Sequence, residues 1–152
     1  METAQPKLKR QKSNLLLQIP GWILVLYLIY SQAIPAIDYE LGVAMGTQEP
    51  ASEVSEVGVA FWRGFAIADL VAYIPLFIVG LIGYYLQKTW GRIALAASLG
   101  ISIYWPITCL TAVVIAQNSD AWTMSIPFIF WIVLPAIVLW SLWGLVELTK
   151  DA

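Results

Sequence analysis

Histidine is absent from this 152-residue chain, and cysteine occurs once, at Cys109. Without histidine the chain lacks the usual axial haem ligand, the commonest zinc and copper ligand, and the base of Ser-His or Cys-His catalysis. A single cysteine excludes an internal disulfide, a CxxC redox pair and a cysteine-held cluster within one chain. Charge is scarce too, at 12% of residues, and no lysine falls inside a long hydrophobic run. Schiff-base photochemistry of the retinal type is thereby removed. The expectation is no metal, no cofactor and no nucleic-acid partner.

What the chain has in quantity is apolar surface: 60% of residues are hydrophobic and mean hydropathy is +0.76, outside the usual range of a soluble domain this size. Crossing a hydrocarbon core of ~30 Å takes about 20 helical residues. The hydrophobic runs therefore read as an all-α polytopic membrane protein, a bundle of four transmembrane helices at about 15–37, 61–86, 93–116 and 122–148. A basic tail, 1–14, precedes them and a short tail, 149–152, follows. Prolines 20, 35, 75, 106, 127 and 135 give every span at least one, so the helices should be kinked.

Seven of the eight basic residues lie in the N-terminal tail, the 87–92 turn and the C-terminal tail, whereas the 38–60 loop holds Asp38, Glu40, Glu49, Glu53 and Glu56 with no basic residue. Lys and Arg flanking short loops are retained on the cytoplasmic side. The expected arrangement is a multi-pass protein of the cell membrane with both termini cytoplasmic and the acidic loop outside. Phe61, Trp62 and Trp122 then suit the outer aromatic belt, and Trp90 and Trp143 the inner one. Ser31-Gln32-Ala33 resembles a signal-peptidase site, but the apolar run continues to Ile37, which favours a retained first span.

The acidic loop offers hard oxygen ligands without EF-hand spacing, and a solvated, charge-repelling face is the preferred reading. Glu49-Pro50-Ala51-Ser52-Glu53 looks like the start of a short surface helix, with proline in its first turn. Arg63 should meet Glu53, Glu56 or lipid phosphate, and Glu147 should pair with Lys150.

Asp69 is the most informative residue. It lies about seven residues into the second span, ~10 Å below the outer hydrocarbon boundary, where a carboxylate is costly. Asp69, Tyr73, Leu76, Gly80 and Gly83 follow helical steps of four and three and form one face, and Ala97, Gly100, Tyr104, Thr108 and Thr111 form a comparable stripe on the third span. Gln18, Gly21, Val25, Leu28 and Gln32 share a face of the first, and Trp140, Ser141, Gly144 and Glu147 cluster near the inner end of the fourth. Pro75 and Pro106 should free backbone carbonyls at mid-depth.

Asp69 can either fasten helices together through Tyr73, Tyr104 or Thr108, or serve a ligand or a proton. The candidate ligand site is Asp69, Tyr73, Tyr104, Thr108 and Gln32, and three functions fit it. A binding or carrier protein would hold a lipid-like or amphipathic molecule in an outer-leaflet pocket around Asp69. An accessory subunit of a larger membrane complex would expose a small-residue face left over after the helices pack. An enzyme or proton-coupled transporter would need a second proton-handling group, and only Tyr73 and Tyr104 are near; a homo-oligomer could instead bring two Asp69 residues together.

Overall fold

The structure is a computed structural model describing the backbone of residues 4–120, 122–124 and 127–150, and side chains within those segments from Asn14 onward. The described residues hold four helices long and apolar enough to cross a membrane: Asn14–Ile37, Ala51–Tyr85, Thr89–Ala116 and Phe130–Lys150. They pack on one another. The chain is a small four-span membrane protein.

The first rod, α1, runs through Ala4–Leu28, a π-helical turn Ile29–Ala33 and Ile34–Ile37. Asp38 ends it and caps the short surface helix α2, Tyr39–Ala44, by accepting a hydrogen bond from the Leu41 amide at 3.1 Å. The second rod, α3, comprises Ala51–Ala68, a second π turn at Asp69–Tyr73, and Ile74–Tyr85. Then come α4, Thr89–Ala116, and α5, Phe130–Lys150.

The helix expected after Pro50 does start at Ala51, but it runs on into α3 across a break at Ser55, whose φ of 65° is left-handed. Ser55 Oγ accepts from the Gly58 amide at 3.4 Å, so this residue caps the membrane helix proper. The fourth helix begins at Phe130 rather than near Trp122. Residues 122–124 lie instead against the start of α3, where the Thr123 amide donates to the Glu53 carbonyl at 2.8 Å and the Trp122 and Trp62 ring centroids stand 6.3 Å apart. Pro127 lacks an amide hydrogen and suits this stretch better than a helix interior.

Helices α3 and α4 form the tightest pair. A Cβ on Gly80 would stand 2.7 Å from the Leu95 Cα, and one on Gly91 would stand 2.1 Å from the Gly83 carbonyl carbon, so backbone touches backbone. The expected α1 face is buried on α3: Val25 and Leu28 are inside, Gly21 abuts Leu81, and Gln18 Nε2 donates to the Leu81 carbonyl at 2.9 Å. On α5, Ser141 and Gly144 are buried, and Gly144 faces Leu17 and Leu99.

Two proline-freed carbonyls are answered by side chains from elsewhere in the chain. Pro20 cannot donate to the Leu16 carbonyl, and Trp140 Nε1 of α5 does so at 2.9 Å; Pro35 cannot donate to Ser31, whose carbonyl accepts from Gln48 Nε2 at 3.1 Å. Both bonds tie a proline-interrupted ladder to another part of the chain. Arg63 and Arg92 cover helix ends: Arg63 donates to the Ile37 carbonyl at 3.4 Å and Arg92 to the Leu148 carbonyl at 2.6 Å. Arg63 thus reaches the end of α1 rather than the expected glutamates. Lys150 and Glu147 form the expected ion pair.

Candidate functional site

Two concavities flank Trp105, and each is bordered by a π turn. Such turns widen a helix, leave backbone groups out of register and often occur at functional sites. In α3 the turn starts at Asp69, whose carbonyl accepts from the Ile74 amide five residues on. Pro75, just beyond, supplies no amide hydrogen, which helps to explain why the regular ladder is broken here.

The first concavity is a groove of about 560 Å³ on the α3–α4 surface, lined by Gly64, Ala68, Asp69, Tyr73, Tyr104 and Trp105 among others. Asp69 is only 7% exposed. Its surroundings are apolar, and no hydrogen bond or ion pair joins its carboxyl to another described residue. A carboxyl so placed, in either protonation state, lacks the partner its burial calls for.

Tyr73 is buried as well, but its hydroxyl is already engaged. It lies 2.5 Å from Ser102 Oγ, and because Ser102 gives its own hydrogen to the Ser98 carbonyl at 2.9 Å, Tyr73 is the donor. Its ring stacks on Phe77, centroids 5.7 Å apart. Trp105 Nε1 lies beside the same hydroxyl without reaching hydrogen-bond geometry. Tyr104 is 63% exposed and forms the rim of the groove. Thr108 donates to the Tyr104 carbonyl of its own helix at 3.0 Å and borders neither concavity. The groove therefore gathers Asp69, Tyr73 and Tyr104, while Thr108 stands apart.

Gln32 belongs to the second concavity, a chamber of about 140 Å³ at the other side of Trp105. Its polar wall is built by Tyr27, Ser31 and Gln32 from α1, Thr47, Gln48 and Glu49 from the loop, and Trp62 from α3. Burial, and then the nearby charge of Glu53, pushes the Glu49 carboxyl above its ordinary range. Tyr39 anchors this corner by donating to the Glu49 backbone carbonyl at 2.9 Å. Burial first, then Glu49 and Glu40, pushes its phenol up to about 12, so Tyr39 stays a donor at physiological pH.

Sequence reasoning placed Trp62 in the aromatic belt and missed Ser31 and Ser102. A signal for Ser102 was available: Gly91, Leu95, Ser98, Ser102 and Trp105 also follow steps of four and three, and this stripe of α4 is the buried one. Comparison with known protein families, with curated proteins and with solved structures found no match.

Proposed function

We propose that this chain binds or carries a lipid-like amphiphile, held in the groove at Asp69 by a polar end that donates a hydrogen bond or carries positive charge. The observation behind this reading is a buried carboxyl without a protein partner, facing an open and mostly apolar groove of about 560 Å³. That volume falls within the roughly 300–1,000 Å³ of small-molecule sites, and apolar lining with a few placed polar groups is their usual make-up. Binding is favoured over catalysis because Tyr73, the buried phenol of the same groove, spends its hydrogen on Ser102. Native mass spectrometry of the purified protein should show a co-purifying amphiphile that is lost in Asp69→Leu; retention of the same molecule by that variant would refute the reading. Asp69→Asn distinguishes the head, keeping some affinity for a hydroxyl and little for an amine.

A second reading, an accessory subunit, is favoured by one observation. Ala60, Gly64, Ala68 and Ala72 are exposed at four-residue steps along the same groove, and a Cβ on Gly64 would meet nothing within 4 Å. Such a stripe admits a partner helix. The same spectra separate the two, since a partner subunit adds the mass of a protein.

The groove lies toward the outer leaflet if both termini are cytoplasmic, as the lysine and arginine distribution supports. With Cys109 replaced, Ser52→Cys should react with an impermeant thiol reagent on intact cells and Thr89→Cys should not. Labelling of Thr89→Cys alone would reverse the orientation.

A further inference from the structure

The chamber carries a requirement of its own. Ser31 is 3% exposed, and its Oγ, like the buried Trp62 Nε1, has no hydrogen-bond partner among the described residues. Ser31 Oγ lies beside the Tyr27 hydroxyl without hydrogen-bond geometry. Both residues line the chamber, and an indole nitrogen can only donate. Left unmatched, each such group costs about 1–3 kcal/mol, so the cavity calls for an acceptor.

Charge narrows the choice of acceptor. No lysine or arginine lines the chamber, whose one carboxyl is Glu49. An anion would face that carboxyl with no cation to offset it, and a cation would face the indole N–H. A neutral oxygen, of a hydroxyl or an ester, suits both. A volume of about 140 Å³ has room for a small polar head but not for a whole amphiphile. The chamber adjoins an apolar surface: Tyr27, Phe130 and Leu134 also line a groove of about 640 Å³ between α1 and α5, which continues along Ile23, Val133 and Trp140.

We propose that the chamber is a second binding site, separate from Asp69, which takes the neutral, oxygen-bearing head of a single-chain amphiphile such as a glycerol monoester, with its chain lying in the groove between α1 and α5. The head accepts from Trp62 Nε1 and Ser31 Oγ. The chain fills a surface that the four helices leave uncovered.

The test uses the full chain carrying Asp69→Leu, which silences the other groove, in detergent, titrated with monooleoylglycerol, oleic acid or oleylamine and read by native mass spectrometry. In that background monooleoylglycerol should bind most tightly of the three. Adding Ser31→Ala or Trp62→Phe should weaken that binding about tenfold, the equivalent of one lost hydrogen bond. Val133→Trp, which narrows the groove without touching the chamber, should weaken it as well, and covers the case in which Trp62→Phe misfolds. Equal binding of all three probes, or full affinity in Ser31→Ala and Val133→Trp, would overturn the proposal and leave the chamber to water. Loss of monooleoylglycerol in Asp69→Leu would also overturn it, by making the two sites one; loss of an amphiphile at Asp69 alone bears only on the groove.

Discussion

Gly91→Leu should abolish the native hairpin of α3 and α4, with loss of folded protein in size-exclusion chromatography and a cost at or beyond the ~3 kcal/mol end of overpacking. The reason is geometric. A Cβ at position 91 would stand 2.1 Å from the Gly83 carbonyl carbon and 2.3 Å from the Gly83 Cα, and backbone atoms cannot turn aside as a side chain can. Membrane helices associate through such close approach, because lipid offers no hydrophobic drive for one helix to leave it for another. Gly100→Leu is the control: a Cβ there meets nothing within 4 Å, and stability should change little. Equal behaviour of the two variants would place the α3–α4 contact elsewhere.

That contrast also shows what the sequence could convey. The number of spans followed from hydropathy, and the faces of α1 and α3 followed from the helical spacing of Gly21, Val25 and Leu28 and of Tyr73, Gly80 and Gly83. On α4 two stripes run at the same period. The one carrying Tyr104 and Thr108 was expected inside, yet Tyr104 is exposed and the stripe of Ser98 and Ser102 is buried. Period alone cannot choose between them, since in lipid the inward and outward faces are both apolar. The start of α5 was blurred for a related reason: hydropathy does not register that residues 122–124 are tied to Glu53. The two π turns depend on backbone hydrogen bonding that no residue pattern specified, and with them went the chamber, of which only Gln32 was anticipated.

The second large effect separates the two buried polar residues of α3. Tyr73 donates to Ser102 and stacks on Phe77, so Tyr73→Phe should remove an interhelical hydrogen bond and cost about 0.6–1.7 kcal/mol. The Asp69 carboxyl joins no described residue, so Asp69→Leu should leave stability within ~0.5 kcal/mol or raise it, as happens when an unmatched buried polar group is replaced by an apolar one of similar volume. A carboxyl that fastens helices would give the reverse order, with Asp69→Leu the more damaging.

The most direct measurement follows both variants side by side, reading thermal unfolding and the retained amphiphile from the same preparations. The expected result is a crossed pattern: Tyr73→Phe melts earlier and keeps its amphiphile, whereas Asp69→Leu melts with the wild type or later and has lost it. An Asp69→Leu protein that melts early, or that retains the wild-type complement of bound amphiphile, would contradict the assignment of Asp69 to a ligand.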